Sequence, residues 1–229
     1  MFRMEKIILF GLSDFASLAY LLFTSDSAYE VAAFTVDRAY LTQTEMCGLP
    51  VVPFEEIEKT YPPDQYKIFV LASFKRMNEL RAAKYYEAKD KGYQFVNYVS
   101  SRAITWPDLV VGENCCIMPG NMVDPFVEIG NNVVIWDGNT IGHHTVVKDH
   151  CFITSQVVIG GRSTIEPYCF LGANSTIRDE TIVARKTLVG AGVVLLHDTK
   201  EGEVYKAAQA ELLGVSSEHL RSISHKEPG

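Results

Sequence analysis

Residues 129–153 read IGNNVVIWDGNTIGHHTVVKDHCFI, and a branched aliphatic residue returns at every sixth position of that stretch. The spacing continues in both directions without an insertion. Its fifteen positions are Val111, Ile117, Val123, Ile129, Ile135, Ile141, Val147, Ile153, Ile159, Ile165, Leu171, Ile177, Val183, Val189 and Leu195. Neither an amphipathic helix nor an alternating strand has a period of six residues. The repeat therefore predicts short strands joined by regular bends around one aliphatic interior.

A second set of small or compact side chains follows each aliphatic position by four residues. It comprises Cys115, Asn121, Val127, Val133, Asn139, Thr145, Cys151, Val157, Ser163, Cys169, Ser175, Thr181, Thr187, Val193 and Thr199. Together the two sets describe the hexapeptide repeat of a parallel β-helix, in which three faces close one coil. The repeats then form five coils of eighteen residues, stacked at about 4.8 Å into a prism roughly 24 Å tall. Residues eighteen apart should lie one above the other.

The first hundred residues lack this spacing and alternate between strand-like and helix-like segments. Strands are predicted at residues 6–11, 30–36, near 48–52, 66–71 and 95–99, and helices at 13–24, 54–59 and 78–91. Such alternation predicts a parallel sheet covered on both faces. Ligands of these sheets bind beyond the carboxyl ends of the strands.

Two of the predicted strand ends carry groups suited to a nucleotide. The turn after the first strand contains Gly11, Ser13 and Asp14, and a glycine-containing turn that opens a helix can receive a phosphate on its backbone N–H groups. Asp37 ends the second strand and could accept a hydrogen bond from a ribose or a base. The structural alternative is that Ser13 caps the helix and Asp37 starts a turn.

The stretch at residues 73–81, SFKRMNELR, follows the third long strand and lies at the same predicted edge of the sheet. Lys75 and Asn78 are further candidates for substrate binding. Arg76 and Arg81 add cations that would offset the two aspartates.

Composition limits the classes of partner. The net charge of the 229 residues is −7, which argues against nucleic acid or an anionic membrane. No apolar run approaches the roughly 20 residues of a membrane span, and no signal-peptide pattern opens the chain, so a cytoplasmic location is expected. The five cysteines contain no C-x-x-C pair, and buried, inert thiols are expected.

The combination of these parts resembles the sugar acyltransferases of the sialic acid O-acetyltransferase type, whose close relatives N-acetylate nucleotide-linked amino sugars. The resemblance implies a Rossmann-like domain that binds a nucleotide sugar at residues 1–100 and a left-handed β-helix at 101–200. In the tail at 201–229 the resemblance is weaker, and residues 208–224 read as a helix from the sequence itself. It also implies a homotrimer with active sites between subunits and acetyl-CoA as cosubstrate. No metal is expected.

The resemblance points to His143 as the general base. It lies two residues past an aliphatic position, so the spacing places it at an outward-facing bend, and the residue one coil later is Gly161. A glycine there leaves room for the thioester and offers a bare N–H to its oxygen. His144 replaces an acidic residue that orients the histidine in one branch of the family. Asp137 or Asp124 could take over that role, since both are expected on the same side of the prism as His143.

The resemblance also implies a path for acetyl-CoA along the prism edge toward the C-terminal coils. The residues expected to line it are Gly172, Ala173, Gly190 and Ala191, with Arg185 and Lys186 near its phosphates. Glycine at a β-helix bend is equally explained without a ligand.

We therefore predict an acetyl-CoA-dependent N-acetyltransferase acting on a UDP- or dTDP-linked amino-deoxysugar, with His143, His144 and Asp137 at the catalytic site, for a surface polysaccharide or glycan. The nearest alternative is a sugar O-acetyltransferase. Two other classes stay open: a γ-type carbonic anhydrase, for which His143, His144 and His150 would have to share a zinc ion, and a non-catalytic trimer that binds a sugar nucleotide.

Overall fold

The computed structural model describes residues 4–72 and 74–219. Its N-terminal unit contains the strands β1 (Lys6–Phe10), β2 (Glu30–Val36), β3 (Glu45–Met46), β4 (Leu49–Pro53) and β5 (Tyr66–Val70). The helices are α1 (Asp14–Ser25), α2 (Ile57–Thr60) and α3 (Glu79–Asp90), with 3₁₀ turns at Arg38–Tyr40 and Phe54–Glu56. The strand order is β3-β4-β2-β1-β5. Pairings among β1, β2, β4 and β5 are parallel, as predicted.

Two features of this unit differ from the prediction. First, β3 pairs antiparallel with β4 through a two-residue turn at Cys47 and Gly48, both with positive φ. This turn geometry suits tight hairpins, but Cys-Gly is a weak sequence signal for it. Second, the predicted strand at residues 95–99 is divided. Phe95 forms a single bridge with Ile68, whereas Tyr98–Val99 joins the β-helix.

The rest of the fold is a β-helix whose three faces are parallel sheets. The docked sheet, which faces the N-terminal unit, has seven strands: Tyr98–Val99, Cys116–Ile117, Val134–Ile135, Phe152–Ile153, Phe170–Leu171, Leu188–Val189 and Val204–Tyr205. The second sheet has five: Met122–Val123, Thr140–Ile141, Val158–Ile159, Thr176–Ile177 and Val194–Leu195. The third sheet also has five: Val110–Val111, Glu128–Ile129, Val146–Val147, Thr164–Ile165 and Ile182–Val183.

The predicted repeat sets the register of these sheets. Within the five coils, paired residues are eighteen apart, as in Thr140 with Val158 and Ile141 with Ile159. The aliphatic positions form one interior cluster, in which Val111 of the first coil is half-buried and the other fourteen are buried. The small residues four positions later are buried too. The extra strands Tyr98–Val99 and Val204–Tyr205 extend the docked sheet beyond both ends of the repeat.

The bends between the faces form three corners. The histidine corner joins the second sheet to the third at residues 124–127, 142–145, 160–163 and 178–181. The clasp corner joins the third sheet to the docked sheet at 112–115, 130–133, 148–151, 166–169 and 184–187. The tryptophan corner joins the docked sheet to the second at 118–121, 136–139, 154–157, 172–175 and 190–193.

Every one of these bends contains a residue with a left-handed backbone, three positions after the aliphatic residue. The φ angles lie between 55° and 73° at Asn114, Gly120, Phe126, Asn132, Gly138, His144, His150, Gln156, Arg162, Tyr168, Asn174, Glu180, Lys186 and Gly192. An ordinary L-residue in this conformation costs about 1–2 kcal/mol. The interior packing and the hydrogen bonds between coils therefore impose the bend even on residues that do not favour it, such as Phe126, Tyr168 and Lys186.

The two faces of the N-terminal sheet are covered differently. One face, with Ile7 and Leu9, packs against α1 and against outward side chains of the docked sheet, including Val134 and Phe152. The opposite face packs against α2, α3 and Tyr93. The docked sheet therefore serves as a wall of the N-terminal core.

The tail does not form the helix predicted for residues 208–224. Up to His219 its only regular element after the last strand is a 3₁₀ turn at Ser217–His219, and residues 220–224 lie outside the described part. Leu212 is 97% exposed, so the segment has no packed face. Short helices need such packing in water. No helix in the described ranges has the length and apolar character needed to cross a membrane.

Candidate active site

His143 projects from the histidine corner beside Gly161. The strand Thr140–Ile141 ends one residue before Gly142, and the exposed His143 ring lies against the next coil. A Cβ built on Gly161 would stand 3.0 Å from both Cε1 and Nε2 of the imidazole. Because Gly161 has no side chain, the imidazole of His143 fits beside it. The sequence predicts that the same glycine also leaves room for the thioester.

The backbone amide of Gly161 differs from the amides on either side of it. The neighbouring amides are used between coils: Gly160 N–H donates to Ile177, and Arg162 N–H donates to the carbonyl of His143. Within residues 4–72 and 74–219, the Gly161 N–H has no acceptor. An unpaired donor next to an imidazole suits a site where negative charge develops on a carbonyl oxygen.

His144 is the neighbour that holds the His143 ring. The two Nδ1 atoms are 3.1 Å apart, so one imidazole donates and the other accepts. The His144 ring is itself packed on Phe126, with ring centroids 4.7 Å apart. These contacts place an imidazole where the sequence comparison leads us to expect an acidic orienting group.

Asp137 is not part of this arrangement. It lies on the tryptophan corner, and its carboxylate accepts a hydrogen bond from the Ser155 hydroxyl at 2.9 Å. Asp124 is on the histidine corner, where its N–H donates to Ile141. The expectation that both aspartates lie on the side of His143 is therefore wrong for Asp137, because that residue follows a docked-sheet strand rather than a second-sheet strand.

The residues predicted to bind the cofactor lie on three different corners. Gly161 is beside His143, whereas Gly172, Ala173, Gly190 and Ala191 follow one another along the tryptophan corner. Arg185 and Lys186 are on the clasp corner, where Lys186 is paired with Glu79 at 2.7 Å and Arg185 with Glu201 at 3.6 Å. They do not form one path on a single subunit.

Other cations lie on the histidine corner itself. Arg162 and Arg178 are exposed one and two coils beyond the histidines. Across the described residues, neither side chain takes part in an ion pair. The sequence analysis missed them because the family resemblance pointed to the clasp corner.

The predicted substrate residues gather at the carboxyl edge of the N-terminal sheet, with one exception. β1 and β5 are adjacent, so the turn with Gly11, Ser13 and Asp14 and the loop with Lys75 follow neighbouring strand ends. The Ser13 hydroxyl does not cap α1, although Ser13 occupies the cap position. Asp37 is paired with Lys84 at 2.8 Å. Asn78 is fully buried, and its amide donates to carbonyls of the β-helix, so it is not available to a substrate.

His150 does not join the two exposed histidines. It is 2% exposed on the clasp corner, where Nδ1 lies 2.9 Å from the Asn132 amide and Nε2 lies 2.9 Å from the Tyr86 hydroxyl. Burial lowers the pKa of His150 to about 4. In the part of the chain that the structure describes, no group of three or more His, Cys, Asp or Glu residues could hold a metal ion. The histidine trio of the carbonic anhydrase alternative does not assemble within one chain.

The position of His143 separates it from its own N-terminal unit. That unit packs on the docked sheet, and the histidine corner joins the other two sheets. The interior of the prism lies between them. A substrate held at the carboxyl edge of β1 and β5 therefore faces a different corner from the one that carries His143.

Comparisons with known proteins agree with this architecture. Residues 108–143 match the family model described as bacterial transferase hexapeptide (six repeats). The chain carries the hexapeptide repeat of bacterial transferases. No curated protein matches the chain.

Solved structures extend the likeness to both parts of the fold. The acetyltransferase domain of PglB from Neisseria gonorrhoeae is 21% identical, with a TM-score of 0.79, over 87% of this chain and 95% of that one. PerB, a perosamine N-acetyltransferase from Caulobacter crescentus solved with CoA and GDP-perosamine, is 21% identical, with a TM-score of 0.77, over 87% and 92%. WeeI from Acinetobacter baumannii is 16% identical, with a TM-score of 0.51, over 86% and 94%. The fold is thus an α/β unit followed by a left-handed β-helix, as predicted.

Proposed function

We propose that this protein is an acetyl-CoA-dependent N-acetyltransferase whose acceptor is the amine of a nucleotide-linked amino sugar. The observation that carries the proposal is the pairing of an exposed imidazole, His143, with the unbonded N–H of Gly161 on one corner of the β-helix. The fold supports it, because PerB shares both parts of the architecture and is named as an N-acetyltransferase. The structures of PerB with CoA and GDP-perosamine include a variant in which a histidine is replaced by asparagine.

The chemistry needs one base and one hydrogen-bond donor. His143 would donate its Nδ1–H to His144 and leave Nε2 free to take a proton from the attacking amine. As the amine nitrogen bonds to the thioester carbon, the Gly161 N–H would stabilise the developing oxyanion. The C–S bond then breaks, and the sulfur leaves as a thiolate. The amide product retains the acetyl group, and His143 retains the proton until solvent removes it.

Two subunits would be needed to complete the site. The histidine corner is across the prism from the N-terminal unit of the same chain, so the amine presented to His143 would come from a nucleotide sugar held by a neighbour. The sheets that flank the histidine corner support this arrangement, since their outward columns carry several exposed apolar side chains among threonines and Glu128. These columns include Ile104, Met122, Val158 and Val194 on one side and Val110 and Ile182 on the other. A homotrimer would cover both columns.

The N-terminal unit would hold the nucleotide in the crevice between the β1 and β5 ends. Backbone N–H groups at the start of α1 and the Ser13 hydroxyl, which does not cap the helix, can donate to a diphosphate, and Lys75 follows the neighbouring strand β5. Acetyl-CoA would run from His143 toward the C-terminal coils. Arg162 and Arg178 are the cations nearest to that path on the same subunit.

The test is thiol release from acetyl-CoA by the purified protein. Acceptors would be UDP-, dTDP- and GDP-linked 3-amino and 4-amino sugars, with sialic acid and free hexoses alongside. The expected result is turnover with an amino sugar nucleotide that disappears in His143→Ala and persists in His219→Ala, a control at an exposed histidine of the tail. Mass spectrometry of the product then locates the acetyl group.

The outcomes separate the alternatives. Turnover with a hydroxyl acceptor would assign the protein to O-acetylation at the same site. Binding of a sugar nucleotide without thiol release from any acceptor would contradict an acetyltransferase and favour the non-catalytic trimer.

A further inference from the structure

Arg81 is a fully buried guanidinium whose charge is met by carbonyl and amide oxygens rather than by a carboxylate. Nη2 donates to the carbonyls of Asn132, His150 and Cys151 at 3.0–3.2 Å. Nε donates to Oδ1 of Asn132, and Nη1 donates to Oδ1 of Asn78. None of the ion pairs among the described residues includes Arg81. Burial lowers the pKa of Arg81 to about 10, so the group is still protonated at neutral pH.

These contacts join the two parts of the fold. Arg81 belongs to α3, whereas Asn132, His150 and Cys151 belong to the clasp corner. A buried charge is unfavourable unless its donors are well satisfied. The Arg81 guanidinium can bond to all three backbone carbonyls only when α3 lies at one particular distance from the β-helix. The group therefore fixes the position of the start of α3.

The segment in front of α3 needs such support. Arg76, Met77 and Asn78 are consecutive residues with φ of 53°, 50° and 66°. Side chains avoid the left-handed region, and single residues adopt it far more readily than runs do. Strained backbone of this kind persists only where the surroundings hold it.

The support comes from the β-helix. The Asn78 side-chain amide donates to the carbonyl of Cys169 at 3.2 Å, and its Oδ1 accepts from Arg81. Asn78 at the end of the loop and Arg81 in the first turn of α3 are therefore both anchored to the clasp corner. Earlier in the loop, Lys75 and Arg76 are exposed after β5, and Arg76 lies 3.6 Å from Glu79.

We propose that Asn78 and Arg81 are positioning residues for the acceptor nucleotide. They hold the loop at residues 74–78 in its left-handed form so that its cations face a diphosphate in the crevice between β1 and β5. The inference rests on the proposed function for the identity of the ligand. It assigns the buried pair a role in nucleotide affinity, separate from the acetyl-CoA site on the histidine corner.

The test compares Asn78→Gly and Arg81→Lys with a matched control. Glycine tolerates the left-handed backbone but removes the side-chain hydrogen bonds, and lysine keeps the charge but cannot form the planar set of bonds. Tyr85→Phe is the control, because Tyr85 is also a buried α3 residue, and its hydroxyl contacts Glu113 of the clasp corner, away from the loop. It measures the effect of losing an interface hydrogen bond alone.

Affinity for UDP, dTDP and GDP would be measured by calorimetry, with CoA as the second ligand and thermal unfolding in parallel. Both loop variants are expected to weaken nucleotide binding about tenfold and to leave CoA binding within twofold. Tyr85→Phe is expected to lower the unfolding temperature and to change neither affinity. Where turnover is found, the KM for the acceptor should rise by the same factor as the dissociation constant.

Three results would overturn the inference. The loop variants could lower the unfolding temperature as Tyr85→Phe does and leave nucleotide affinity unchanged. They could weaken CoA and nucleotide equally, which would indicate a general loss of structure. The wild-type protein could bind none of the three nucleotides. Nucleotide binding that depends on Asn78 and Arg81 without any thiol release would keep the inference and reject the proposed function.

Discussion

His144 and His150 occupy the same bend position in successive repeats, yet their surroundings are opposite. Both lie three residues after an aliphatic position, with φ of 59° and 63°. His144 is exposed on the histidine corner, in contact with His143 and Phe126. His150 is enclosed on the clasp corner, with hydrogen bonds to Asn132 and Tyr86. The backbone of the coil does not distinguish the two residues.

The docked N-terminal unit makes the difference. α3 covers the clasp corner and supplies Tyr86 and Arg81 to it, whereas the described chain leaves the histidine corner open. A β-helix thus offers repeated, nearly identical bends, and the neighbouring element decides which bend is structural and which is free for chemistry. Substitutions at the two corners should separate accordingly.

The largest expected effect is on turnover. His143→Ala removes the proposed base, and loss of general base catalysis typically lowers kcat by a factor of about 10²–10⁴. His143 is exposed, so the unfolding temperature should stay the same. His150→Asn, on the clasp corner, is expected to do the reverse. Steady-state kinetics and thermal unfolding of both variants check this pair.

A result in which His150→Asn abolishes turnover in a protein of normal stability would contradict the division between the corners. Asparagine is the matched choice at this position, because Asn114 and Asn132 occupy the two bends before it in the same column.

The second prediction concerns acid stability. In the unfolded chain the His150 imidazole binds a proton near pH 6.5, whereas in the folded protein it does so only near pH 4. The unfolded state therefore binds more protons between these values, and stability is full above about pH 6.5 and declines as the pH falls toward 4. The loss between pH 7.5 and 4.5 is about 2–3 kcal/mol.

Urea unfolding at the two pH values measures this loss. In His150→Asn the difference between the two pH values should shrink by about that amount, while His197→Asn, at an exposed position, should behave as the wild type. An unchanged difference in His150→Asn would show that other groups control the acid response.

The sequence predicted the coil well because the interior of the β-helix imposes a strict rule on it. Ile141 and Ile159 must pair, and no other arrangement buries every aliphatic position at once. The spacing also places His143 beside Gly161 of the next coil. The same spacing argues against Asp137, which lies six residues before His143 and therefore on the neighbouring corner.

What the sequence could not provide is the docking of one part on the other. Asn114, Asn132 and His150 follow one another at intervals of eighteen residues, and this polar column was a visible sign of a buried corner. Its burial depends on β5, whose Val70 bonds Asn114 from 44 residues away, and on α3, whose Arg81 bonds Asn132 and His150 from 51 and 69 residues away. Asn78 is predicted to bind substrate for the same reason. A polar residue after a strand is expected to be exposed, and the sequence does not show that the β-helix covers it.

The third prediction tests how closely the histidine corner is packed. In Gly161→Ala the new methyl group would lie 3.0 Å from the His143 ring, which must move by a few tenths of an ångström. Displacement of a catalytic group on this scale, together with a narrower space for the thioester, is expected to lower kcat roughly 10-fold. The unfolding temperature should fall only slightly, because the ring can move outward and the remaining close contact is with the backbone oxygen of His143 at 3.2 Å.

Gly202→Ala serves as the control, since nothing lies within 4 Å of the added Cβ, although its positive φ makes that change strained in the backbone. If Gly202→Ala lost as much turnover as Gly161→Ala, the effect would not be specific to Gly161.

The smallest expected effect concerns the orientation of His143 by His144. Asparagine at position 144 tolerates the left-handed backbone and can accept a hydrogen bond from the Nδ1–H of His143, whereas alanine offers no acceptor. His144→Ala should therefore lower kcat several-fold, and His144→Asn should restore most of it, with the KM for acetyl-CoA similar in both. Equal activity in the two variants would mean that the contact between the imidazoles does not orient the base. His144 would then have no role in the chemistry. It would differ from His150 only in being exposed.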